Sequence, residues 1–247
     1  MTSTRALVPL CLLFTAGFAG LAAQSPRPAN VPIHTWVRED IFAGFLANDL
    51  ERFGRGEAKV REYVAETPAR PEALGWLVAV KLHRAGLAFG AGKTAEGEAL
   101  VNEALQAADT AVTNGPDNFG MHATIGGSIV TLANKLPDWY YRPLMERART
   151  HYATLYKVQS PALSKLPLHI KGELLAGVAE TEFRVGDKAK ATDTLNQILK
   201  ELPETGYATN AQQWLSAPEN VTKDTKLVCQ SCHEPGRLAA WQARQKQ

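Results

Sequence analysis

The sequence predicts an all-α protein of stacked helical hairpins, and three features predict it. Apolar residues recur at helical spacing through most of the chain, and there is little Val/Ile/Thr alternation at period two, so strands have no support. Glycine or proline punctuates the helix-like stretches: Gly54, Gly90, Gly92, Gly115 and Gly186 lie at junctions, and Pro68, Pro116, Pro137, Pro161 and Pro203 follow or separate helices. Glycine permits a left-handed helix exit and proline cannot continue a helix. The stretches then fall into pairs of about 30–45 residues, the period expected of a repeat architecture.

The elements follow in order. Residues 1–23 have the layout of a secretory signal, with the lone charge Arg5, an apolar run from Ala6 to Phe18, and the small residues Gly20, Ala22 and Ala23 at its end. The run is shorter than the roughly 20 apolar residues of a spanning helix, and Pro9 interrupts it. Cleavage near Ala22 or Ala23 is expected, with an uncleaved anchor as the alternative reading. Residues 24–34 form an extended lead-in containing Pro26, Pro28 and Pro32. Helices are predicted over 36–53, 57–66, 71–89, 94–113, 119–135, 141–157, 163–185, 188–201 and 206–215, so that the repeats cover 35–217. Residues 218–247 form a separate C-terminal segment. After the signal, no segment is long and apolar enough to span a membrane.

The clearest hairpin is 172–203, GELLAGVAETEFRVGDKAKATDTLNQILKELP. Leu175, Val178 and Ala179 would face the partner helix, Gly186-Asp187 would turn the chain, and Ala191 would sit where the helices touch most closely. Leu195 and Ile198 would fill the groove, and Pro203 would end the second helix. This unit resembles a tetratricopeptide repeat. The stretch 42–71 has the same layout, with Gly54 and Pro71 spaced as Gly186 and Pro203 are, but it carries Lys59 where a small residue is usual. Such hairpins cannot bury their apolar faces alone, so neighbours stack and leave a groove. A plain helical bundle is the alternative.

Composition narrows the function classes. The 247 residues are 45% apolar, enough for a real core, and 27 Lys+Arg stand against 25 Asp+Glu without a block of one sign. A dedicated nucleic-acid surface would show a basic stripe, and a polybasic membrane patch would show a cluster of Lys and Arg. Cys11 falls in the signal, which leaves Cys229 and Cys232 as the cysteines of the exported chain. One close pair is no disulfide framework.

The pair belongs to Cys229-Gln230-Ser231-Cys232-His233, a C-x-x-C-H motif. On a helical turn, side chains three apart share a face. Two such thiols can form thioethers along one edge of a porphyrin, and the adjacent imidazole can then bond its iron. Three other readings compete. Half a zinc site lacks its second half, dithiol redox chemistry needs an α/β turn that the pattern does not offer, and a simple disulfide is open in an oxidising compartment.

The motif is similar to that of c-type cytochromes, and the whole chain resembles exported bacterial proteins that join tetratricopeptide-like helices to a terminal haem motif. The resemblance implies one covalent haem c on Cys229 and Cys232, iron ligation by His233, and a periplasmic location. A cytochrome's methionine ligand is missing after the motif, so a sixth ligand must come from His34, His83, His122, His151, His169, Met121 or Met145, or be absent. The expected function is electron transfer by a monohaem protein whose repeats dock it to a redox partner or a membrane electron-transfer complex. The alternative is an exported adaptor whose cysteine pair is a disulfide or metal staple. No catalytic residue set is visible, and peroxidase-like activity is the weakest of the readings.

Overall fold

A computed structural model describes residues 31–227 and Ala243. Among the described residues the protein is all-α, with nine helices and no strand: α1 Ile33–Ala47, α2 Leu50–Glu66, α3 Pro71–Gly90, α4 Thr94–Asn114, α5 Phe119–Leu132, α6 Asp138–Gln159, α7 Leu168–Val185, α8 Lys188–Glu201 and α9 Gly206–Ser216. Helices α1 and α2, α3 and α4, α5 and α6, and α7 and α8 pack as hairpins. Each hairpin stacks on the next through α2 and α3, α3 and α5, α6 and α7, and finally α8 and α9. The signal region 1–23 and the first part of the lead-in lie outside the described residues.

The two helices of a hairpin have different burial, and the sequence shows why. The outer helices carry one apolar stripe. In α2 it is Phe53, Gly56, Val60 and Tyr63, and in α8 it is Ala191, Leu195 and Ile198, at the three- and four-residue steps of a single face. The inner helices are buried over most of their circumference. Eleven residues of α3 and eleven of α7 are buried, many of them Ala or Gly. Small residues let helices approach on several sides at once.

The hairpin of α7 and α8 matches the expectation closely. Gly186 closes α7 in the left-handed region at φ 96°, and Asp187 caps α8 by accepting a hydrogen bond from the Lys190 amide. Leu175, Ala179, Ala191, Leu195 and Ile198 are all buried, whereas Val178 is only partly so.

The first hairpin corrects the expectation. Its turn is at Asn48-Asp49, not Gly54: Asn48 takes the left-handed conformation at φ 54°, and the Asp49 carboxylate accepts from the Arg52 amide. Asparagine tolerates that backbone conformation because its short side chain can bond locally. Gly54 is inside α2, and Ile33 and His34, assigned to the lead-in, begin α1. The close approach of this hairpin is made by Gly44 and Gly56, so Lys59 needs no small counterpart; it pairs with Asp40 at 2.7 Å instead. Pro137 and Pro167 precede α6 and α7, which therefore begin at Asp138 and Leu168, not at 141 and 163. The earlier start turns Trp139 outward, 65% exposed, while Tyr141 is buried.

Two tyrosines lock neighbouring hairpins. The Tyr152 ring of α6 lies between Gly126 of α5 and Gly177 of α7, and Tyr207 of α9 covers Gly172 of α7. A Cβ at Gly177 would stand 1.9 Å from the Tyr152 ring, and one at Gly172 would stand 2.2 Å from the Tyr207 ring.

Candidate functional site

Cys229, Cys232 and His233 lie outside the described residues. What is described is the chain that leads to them. After α9, a short 3-10 turn at Pro218–Asn220 passes into an arm, residues 221–227, that ends with Leu227 fully buried.

The arm is held by charge placed at depth. Glu180 of α7 is fully buried, and its carboxylate accepts a hydrogen bond from the Leu227 amide at 2.8 Å. The same carboxylate faces Arg184 at 3.4 Å and Lys226 at 3.9 Å. Arg184 donates to the carbonyls of Thr222, at 2.6 Å, and Thr225. Lys226 reaches the Val130 carbonyl of α5 at 2.6 Å, and burial pulls its pKa down. Asn134 bonds Asp224 at 2.7 Å, and Lys223 pairs with Asp138. A buried carboxylate is tolerable only when its oxygens are met by charge and N–H donors, and here most of those donors come from the arm.

Beside the arm is an open cavity of about 490 Å³. Phe45 and Leu46 of α1 form one wall. Thr131 of α5 with Asn134 and Lys135 of the following 3-10 turn form another, and Asp224 and Lys226 of the arm form the third. The arm therefore runs along the cavity just before the C-x-x-C-H motif begins. Cys229 follows two residues after Leu227 in the sequence.

The seven candidate sixth ligands separate by their surroundings. His34 is exposed, and His169 lies 3.3 Å from the Tyr207 hydroxyl. Met121 and Met145 are fully buried in the core. His122 and His151 form a buried pair, Nδ1 to Nδ1, at 2.8 Å. The His122 Nε2 faces the Pro116 carbonyl at 2.8 Å. A carbonyl can only accept, so the His122 Nε2 carries a proton, and the two Nδ1 atoms share one between them. Burial, with His122 and Arg147 nearby, pushes His151 down to about 4.

His83 is different. It is 2% exposed, and neither ring nitrogen has a hydrogen-bond partner among the described residues. Its ring packs on Phe53 at 4.4 Å and Phe45 at 5.1 Å. Burial, with Lys135 and Arg84 adding to it against Glu57, pushes its pKa down to about 4. The sequence offered no sign that this histidine stands apart from the other four. Nor did it show the buried pair, because His122 and His151 come from different helices. Among the described residues, no group of three or more His, Cys, Asp or Glu gathers as a metal site, and no helix is long and apolar enough to cross a membrane.

The described part of the site is thus an open cavity with an arm clamped along it, and nearby a buried imidazole without a hydrogen-bond partner among the described residues. The class defined by fold and site is an all-α protein of stacked helical hairpins with a clamped C-terminal arm. No protein-family model matches the chain, and neither a curated protein nor a solved structure does so.

Proposed function

We propose that this chain is an exported, periplasmic monohaem electron-transfer protein whose helical stack holds a haem-bearing tail and docks it to a redox partner. The observation that carries the reading is the Glu180 clamp immediately before the C-x-x-C-H motif. The fully buried Glu180 carboxylate accepts from the Leu227 amide and faces Arg184 and Lys226, so the described arm is held firmly up to two residues before Cys229 in the sequence.

In this reading Cys229 and Cys232 hold the haem as thioethers and His233 bonds the iron. The bound haem supplies a one-electron couple. The chain's own groups do the rest. Glu180, Arg184 and Lys226 fix where the tail leaves the body. The Phe45 and Leu46 wall keeps water from one side of the cavity, and Lys135 and Lys226 bring positive charge to it. Burial and nearby charge are the levers by which a protein sets an iron potential.

The test is the mass of the mature protein made in a host with working haem-attachment machinery. The polypeptide mass plus one haem is expected, with haem-dependent peroxidase staining that survives denaturation. A bare polypeptide mass overturns the proposal, and a mass two hydrogens lower turns it into the adaptor with a disulfide staple.

A further inference from the structure

Independently of the C-x-x-C-H motif, we infer that the open cavity between the end of α1, the end of α5 and the arm is a binding site for a small organic carboxylate with a short apolar body. Its volume of about 490 Å³ lies within the range of small-molecule sites. Two lysines line it, and each ammonium is held by a backbone carbonyl rather than by a carboxylate. The Lys135 Nζ donates to the Phe45 carbonyl in the last turn of α1 at 2.9 Å, and the Lys226 Nζ donates to the Val130 carbonyl in the last turn of α5 at 2.6 Å. Lys226 has Glu180 at 3.9 Å, but that carboxylate also faces Arg184 at 3.4 Å. Among the described residues, Lys135 has no carboxylate partner. Lys135, Lys226 and Arg184 against Asp224 and Glu180 thus leave one cation in excess around the cavity. Burial pulls both lysine pKa values down, and an anion at the ammonium groups would reverse that.

The lining selects the kind of anion. An ammonium carries three N–H donors, and Lys135 spends one on the Phe45 carbonyl, so two remain for the charge-assisted bonds of a carboxylate. The Thr131 hydroxyl donates to the Gly127 carbonyl of its own helix at 2.8 Å, so it offers an anion no proton and leaves Lys135 as the main donor. Phosphate groups are favoured at helix N-termini. Here α1 and α5 present their C-terminal ends, whose partial negative charge holds the two ammonium groups and disfavours a multiply charged anion. A singly charged carboxylate suits that balance. Asp224, to which Asn134 donates at 2.7 Å, repels an anion from the arm side and directs it to Lys135. On the α1 wall Leu46 is 41% exposed beside Phe45, and it offers apolar surface for the rest of the molecule.

The experiment is calorimetric titration of the full chain at neutral pH with sodium hexanoate, hexanamide and inorganic phosphate as probes. Hexanoate should bind saturably, one per chain. Hexanamide, which keeps the shape and loses the charge, and phosphate, which keeps charge and loses the apolar body, should each bind at least about tenfold more weakly. Lys135→Gln should weaken hexanoate by a similar factor, Leu46→Ser should weaken hexanoate but not phosphate, and Lys157→Gln, outside the lining, should change nothing. Limited acetylation followed by peptide mapping locates the site, since bound hexanoate should slow modification of Lys135 and leave Lys157 unaffected. If Lys135→Gln fails to fold by circular dichroism, the comparison of hexanoate with hexanamide and the acetylation map on the wild type decide the matter. The inference is overturned by the absence of saturable hexanoate binding, which is also the result if residues beyond 227 fill the cavity. Equal affinity for hexanamide or phosphate, or unchanged acetylation of Lys135, overturns it as well. The mass of the mature protein plays no part in this test, so the haem reading and this one stand or fall separately.

Discussion

Gly177 has no room for a methyl group, because the Tyr152 ring occupies the space a Cβ would need, at 1.9 Å. The opposite edge of the same ring lies against Gly126, where a Cβ would stand 3.1 Å away. Gly177→Ala should therefore force Tyr152 out of its slot and destabilise the protein by about 1–3 kcal/mol. Urea titration would read this as a lower midpoint at constant slope; an unchanged midpoint would mean that α6 and α7 do not touch there. The buried histidines make a second residue-scale expectation. His83 and His151 both titrate near 4 when folded, against an ordinary value of 6.5. As pH falls from 6.5 toward 4 the unfolded chain takes up their protons and the folded chain does not. Stability is therefore full above that window and declines through it, by up to about 1.4 kcal/mol per pH unit for each group. His151→Gln should flatten the slope between pH 6.5 and 4; an identical slope would remove His151 from the account.

The arm is the element most tightly held by buried charge. Its seven residues form no regular structure, yet Arg184, Lys226 and the Leu227 amide converge on one carboxylate. Arg184 also lies over the Trp214 ring at 5.1 Å, which ties α9 into the same cluster. Breaking one member of a buried charge group leaves the others uncompensated. Glu180→Gln should therefore cost about 3 kcal/mol, and it should loosen the arm before the helices. The Leu227 amide should lose its protection in hydrogen exchange while the α3 and α5 amides keep theirs. Equal loss across all helices would mean that Glu180 supports the core rather than the arm.

For the whole molecule, the stack supplies the body, and under the proposed function the tail would supply the redox group. Hairpins packed in sequence give mostly local contacts, so the body can form without the haem. Cys229→Ser and Cys232→Ser should each weaken or abolish haem retention on a denaturing gel, while the far-ultraviolet circular dichroism stays that of a helical protein. A variant that kept its haem fully after both substitutions would remove covalent attachment from the account.

Much of this was legible in the sequence because it is encoded between near neighbours. Helical periodicity, the Gly186-Asp187 turn and the burial of Ala191, Leu195 and Ile198 depend on residues within a few positions of each other. So does C-x-x-C-H, whose spacing is itself the chemical statement. Asn48 shows the limit of such reading, since a glycine nearby looked like the better turn and the hydrogen bond from Arg52 to Asp49 decided otherwise. The Glu180–Leu227 bond joins residues 47 apart, and the His122–His151 pair joins residues 29 apart. The Tyr152 slot needs three helices at once. The sequence by itself determined a helical, hairpin-built chain with a C-x-x-C-H motif near its C-terminus. Only the tertiary structure decided where the arm before that motif is anchored and which histidine is buried without a partner among the described residues, because those depend on how the helices pack rather than on what any one helix contains.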